Sequence, residues 1–65
     1  MPSQPQPLFH VRANYDFAGA DRGELGFHAG DVLGVVDADY DDWWEAELRG
    51  VRGMIPAAYV SRLGG

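Results

Sequence analysis

Eight residues, Asp41-Asp42-Trp43-Trp44-Glu45-Ala46-Glu47-Leu48, leave this chain little choice of fold. Side chains of a β-strand alternate between two faces. Read that way, Trp44, Ala46 and Leu48 share an apolar face that suits a core, while Trp43, Glu45 and Glu47 share the other. That second set puts a large indole beside carboxylates, on the side that meets water. Two readings of Trp43 stay open on this strand alone: a contact platform for a partner, or a ring half-buried under a loop. Arg49-Gly50 then reads as a tight hairpin, with Val51 to Ile55 as its return strand.

The rest of the chain offers no helical period of useful length. Phe9 to Ala13 alternates and suits a first strand. Asn14 to Gly26 carries Gly19, Gly23 and Gly26 among Asp21, Arg22 and Glu24, and reads as a long folded-back loop. Ordered loops of that length usually serve recognition. Leu25 and Phe27 anchor its return limb, and His28 to Asp31 is a turn. Val32 to Val36 is a short apolar strand, and Asp37 to Asp42 an acidic loop. Pro56 to Tyr59 is too short for an α-helix and suits one 3₁₀ turn, after which Val60 to Leu63 forms a last strand. Five short strands in so few residues imply an all-β fold, a small five-stranded barrel or orthogonal sandwich. The expected core is Val11, Ala13, Leu25, Phe27, Leu33, Val35, Ala46, Ile55 and Val60.

The folded part is expected over residues 8–63, with 1–7 a flexible, proline-rich leader and 64–65 a frayed end. A chain of 65 residues makes one small domain with little stability to spare. With no Cys it has neither disulfides nor a thiolate zinc site, which is consistent with a reducing, cytoplasmic setting. No apolar run approaches the roughly 20 residues of a membrane span. Ten acids against five bases leave a net charge of −5, which opposes nucleic-acid binding and favours basic partners.

Taken together and in order, five segments carry a resemblance. They are Ala13-Asn14-Tyr15-Asp16-Phe17, Glu24-Leu25-Gly26-Phe27, Ala29-Gly30-Asp31, the pair Trp43-Trp44, and Gly53-Met54-Ile55-Pro56-Ala57-Ala58-Tyr59-Val60. Over Val11 to Leu63 the chain resembles a Src-homology-3 (SH3) domain of the adaptor and cytoskeletal type. The resemblance implies a small SH3-like barrel and a groove for proline-rich peptides. Its first proline pocket would lie between Tyr15 and Tyr59, and its second among Phe17, Trp43, Pro56 and Tyr59. Glu24 matches the family position that pairs with a ligand Arg or Lys, and Asp21, Asp41 and Asp42 lie on the loops flanking the same groove. Met54 stands where the family often has an aromatic, at the edge of this specificity region, and offers a softer contact.

Residue chemistry supports the groove independently. A polyproline-II ligand has three residues per turn and little entropy left to lose, so its ridges can dock between flat rings. The Trp43 indole N–H and the Tyr59 hydroxyl can donate to ligand carbonyls. An exposed ion pair at the rim contributes about 0.2–1 kcal/mol, enough to bias orientation and too little to bind alone. Three departures limit the match: Phe17 replaces the motif's second Tyr, Asn14 its Leu, and Ala58 stands where many members carry a donating Asn. The expected affinity is therefore modest, about micromolar.

The function expected is non-catalytic recognition of proline-rich segments with flanking Arg or Lys, by a monomeric module of a larger intracellular scaffold. Two alternatives are a methyl-lysine reader, since clustered aromatics and acids can cage a quaternary cation, and an SH3 domain that contacts a partner surface without the Pro-x-x-Pro spacing. An enzyme is disfavoured. The only serines, Ser3 and Ser61, lie near the ends, there is no Cys nucleophile, and neither His10 nor His28 has an evident triad partner. No cofactor or metal is implied: Asp37, Asp39 and Asp41 alternate as calcium ligands do, but Asp42 and Leu48 stand where that loop needs Gly and Glu. The leader holds its own Pro-x-x-Pro spacing at Pro2 to Pro5, with no basic residue close by.

Overall fold

Arg49 and Gly50 both take positive φ, 51° and 80°. The mirror-image hairpin turn, whose twist matches two antiparallel strands, requires this of its two central residues. The turn joins β3 (Trp43–Leu48) to β4 (Val51–Pro56) in unbroken register, from Leu48 opposite Val51 to Trp43 opposite Pro56. This computed structural model describes residues 6–64. Three more strands, β1 (Phe9–Ala13), β2 (Val32–Asp37) and β5 (Val60–Arg62), complete one antiparallel sheet of order β4-β3-β2-β1-β5. A single 3₁₀ turn, Ala57–Tyr59, links β4 to β5. The architecture is the all-β one expected, with strand ends within a residue of those read from alternation.

Alternation also places the core, because each strand buries one face. Val11, Ala13, Leu33, Val35, Ala46 and Ile55 come from the strands, and Leu25 and Phe27 from the long loop between β1 and β2. Leu33, Ile55, Val11 and Val35 are fully buried, each contributing roughly 1.5–3 kcal/mol. Val60 differs from expectation. It packs against this cluster but is only half-buried, since it opens the edge strand β5, whose sole strand neighbour is β1. Trp44, on the apolar face of β3, is half-buried and packs against the same cluster. Its ring meets Phe9 edge to face at 5.4 Å, and its indole N–H donates to the Tyr40 carbonyl at 2.9 Å. An indole N–H needs a partner, and here the loop supplies it from the side.

The β1–β2 loop folds back on itself and then onto β4. Phe17 and Phe27 exchange two backbone hydrogen bonds, of 2.9 and 2.8 Å. Farther out, the Leu25 N–H donates to the Met54 carbonyl (2.9 Å) and the Met54 N–H to the Gly23 carbonyl (2.8 Å). Gly19 makes the fold-back possible: it sits at φ +62°, and a Cβ there would come within 2.5 Å of the Gly26 nitrogen.

At the N-terminal end the ordered packing reaches one residue beyond the expected boundary. Pro7, assigned above to the leader, lies over Gly34 of β2, where an added Cβ would stand 2.9 Å from its Cγ. The Leu8 N–H donates to the Val35 carbonyl at 2.7 Å. The Pro2–Pro5 spacing and Gly65 fall outside the described residues.

Candidate functional site

Four backbone contacts bring distant segments to one wall. The Asn14 N–H donates to the Tyr59 carbonyl (2.8 Å), which sets the 3₁₀ turn beside Tyr15. The Phe17–Phe27 pair fixes the base of the long loop. The Ala57 N–H donates to the Asp42 carbonyl (2.9 Å), tying the same turn to the start of β3 and so to Trp43. The Met54 and Gly23 link holds the loop tip over β4. Backbone bonds therefore position the rings, and their side chains stay free for contact.

Those rings form a continuous row. Tyr15 meets Tyr59 at 5.6 Å, Tyr59 meets Phe17 at 5.6 Å, and Phe17 meets Trp43 at 6.1 Å, all steeply inclined at 77°, 77° and 62°. Inclined neighbours leave furrows between them, which a stack of parallel faces would not. Tyr15 is 60% exposed, Trp43 38% and Tyr59 36%, with Phe17 half-buried between them. Exposure at this level, on residues held by ordered backbone, favours the contact-platform reading of Trp43 over the buried one.

Pro56 behaves differently from the other four. It is buried opposite Trp43 in the β3–β4 ladder, so it offers little surface of its own. A proline at a strand end has no N–H to donate, and this position serves the sheet as well as the site.

Beyond Trp43 the row opens into a cavity of about 250 Å³ lined by Arg22, Gly23, Glu24, Trp43 and Met54. Glu24 and Met54 were expected here. Glu24 is half-buried; its N–H donates to the Asp21 carbonyl (3.1 Å), while one of its carboxylate oxygens accepts from the Asp21 N–H (3.2 Å). Asp21, Asp41 and Asp42 are exposed on the two flanking loops without lining the cavity. Arg22 is the lining residue that sequence reasoning passed over. Its place between Asp21 and Glu24, on the loop already assigned to the groove, was the available signal.

The comparisons agree with this geometry. A family model described as "SH3 domain" matches residues 12–57, and the chain belongs to that family. Protein csh3 of Schizosaccharomyces pombe is 46% identical over 95% of this chain, which spans 23% of that relative. The class E vacuolar protein-sorting machinery protein HSE1 of Chaetomium globosum is 44% identical over 95% of the chain, which spans 10% of it. The chain thus covers under a quarter of the length of these curated relatives. Among solved structures, the Acanthamoeba myosin I SH3 domain bound to Acan125 superposes with a TM-score of 0.82 at 40% identity, covering 92% of this chain and all of that one. The C-terminal SH3 domain of myosin IB from Entamoeba histolytica, bound to an EhFP10(GEF) peptide, gives 0.79 at 34% identity over 94% and 98% of the two chains.

Proposed function

We propose that this domain is a non-catalytic interaction module that binds proline-rich, polyproline-II peptides carrying Arg or Lys. The observation that carries the reading is the inclined row Tyr15–Tyr59–Phe17–Trp43, three exposed rings around a half-buried Phe17, ending at a cavity lined by Glu24. A three-fold helix rises about 3.1 Å per residue and presents ridges that repeat every three residues, and the furrows between these rings receive them. Proline ridges bury apolar area without losing an N–H to the ring wall. The Trp43 indole and the Tyr59 hydroxyl donate to the ligand carbonyls between the ridges. At the end of the row, Glu24 meets the ligand cation, with Asp21, Asp41 and Asp42 adding field from the loops.

The two peptide- or protein-bound SH3 neighbours support binding at the level of the family. The name of the HSE1 relative, and the small share of it that this chain spans, support a place in a larger protein of vacuolar protein sorting. Calorimetric titration with a Pro-x-x-Pro peptide flanked by Arg tests the reading. The expected dissociation constant is about micromolar, with loss of binding when the prolines become Ala and a several-fold loss when Arg becomes Glu. Equal heats from all three peptides would overturn it.

A further inference from the structure

The cavity beyond Trp43 is lined by charges of both signs. Arg22 and Glu24 flank Gly23, whose carbonyl is pinned by the Met54 N–H at 2.8 Å, and both side chains line the same space beside the Trp43 ring. A turn closed by the Glu24 N–H on the Asp21 carbonyl holds the backbone of both residues at the loop tip. Among the described residues, three ion pairs form, His28–Asp16, Arg49–Asp31 and Arg52–Glu47, and none of them uses Arg22 or Glu24. Arg22 is exposed, and its guanidinium stands at the mouth of the same cavity as the Glu24 carboxylate, so a ligand that enters meets both charges. Arg22 would repel the very Arg or Lys that Glu24 attracts.

Resting on the reading above, we infer that this cavity recognises a dipolar ligand segment: a basic side chain that meets Glu24 and, about three residues from it, an acidic side chain that meets Arg22. The spacing follows from the ligand. A polyproline-II chain has three residues per turn, so side chains three residues apart return to the same face and can both enter the one cavity. A guanidinium offers paired N–H groups suited to a carboxylate, which makes Glu or Asp its natural counterpart. Arg22 is thus a specificity-determining residue. It rejects ligands whose flank is uniformly basic and orients those whose flank alternates in sign.

Calorimetric titration of three peptides that share one proline-rich core tests this. Their flanks carry Arg alone, Arg with Glu about three residues away, and Arg with Lys about three residues away. The natural chain is expected to bind the Arg/Glu peptide about three- to tenfold tighter than the Arg/Lys peptide, the gap narrowing as salt rises. Arg22→Glu is expected to reverse that order, and Arg22→Gln to remove it. Glu24→Gln should weaken all three, because it acts on the shared Arg. An Arg/Glu to Arg/Lys ratio that Arg22→Glu leaves unchanged, with Glu24→Gln still weakening binding, overturns the inference and leaves the groove reading intact. Failure of all three peptides to bind the natural chain overturns both.

Discussion

Phe17 stands 5.6 Å from Tyr59, the two ring planes inclined at 77°. One residue comes from the first loop of the chain and the other from the last turn before its final strand. Phe17 also touches Trp43 at 6.1 Å and rests on the core ring of Phe27 at 5.5 Å. It is the hinge of the wall: a half-buried ring that couples the exposed aromatics to the hydrophobic interior. Holding those rings in place before a ligand arrives lowers the ordering cost of binding.

Trp43→Ala should weaken binding of a basic proline-rich peptide by at least about thirtyfold, the scale of an aromatic hot spot. Its ring is 38% exposed and lies outside the core cluster, so the thermal midpoint should stay within a few degrees of the parent. Calorimetry and a melting curve on the same sample separate loss of contact from loss of fold.

Glu24→Lys should reduce affinity for an Arg-bearing peptide about three- to tenfold in low salt, and less as ionic strength rises, because screening acts on both the attraction lost and the repulsion added. Association rates measured at two salt concentrations check this. A salt-independent loss would mean that Glu24 acts through the Asp21–Glu24 turn rather than through charge.

Ile55→Ala or Leu33→Ala should cost roughly 2–5 kcal/mol, comparable with the whole stability of a domain this small. Both side chains are fully buried. Each variant should be largely unfolded at room temperature by urea titration or near-ultraviolet dichroism. A cooperative melt with a near-parental midpoint would contradict the packing described.

Two glycines with positive φ separate backbone strain from collision. Gly30, at φ +94°, has nothing within 4 Å of an added Cβ, so Gly30→Ala should cost only the conformational penalty of about 1–2 kcal/mol. Gly19→Ala adds a 2.5 Å approach to the Gly26 nitrogen, and should cost at least about 1 kcal/mol more and loosen the loop. Chemical denaturation of the pair, with hydrogen exchange at the Phe17 and Phe27 amides, measures both effects.

The strands and core were readable because alternation and burial share one period. Val11 and Ala13, or Leu33 and Val35, announce their face without any tertiary knowledge. Val60 was over-assigned because alternation carries no information about which strand lies at the edge of a sheet. The Trp44 face was read correctly, but its N–H finds the Tyr40 carbonyl, a loop contact that no strand pattern encodes. The aromatic row was legible only through the resemblance, since no local rule brings Tyr15 to Tyr59. Arg22 was missed because its place depends on how the loop tip crosses β4, through the Gly23–Met54 and Leu25–Met54 bonds, and the burial of Pro56 because it depends on the pairing of β4 with β3 at Trp43.

The most direct test uses the two indoles as opposing reporters in a ¹⁵N-labelled sample titrated with an Arg-flanked Pro-x-x-Pro peptide. The Trp43 side-chain N–H should shift strongly, together with the amides of Tyr15, Phe17, Glu24 and Tyr59, while the Trp44 N–H, held on the Tyr40 carbonyl, stays nearly still. Shifts centred on Trp44, Phe9 and Arg62, with Trp43 unmoved, would contradict the groove.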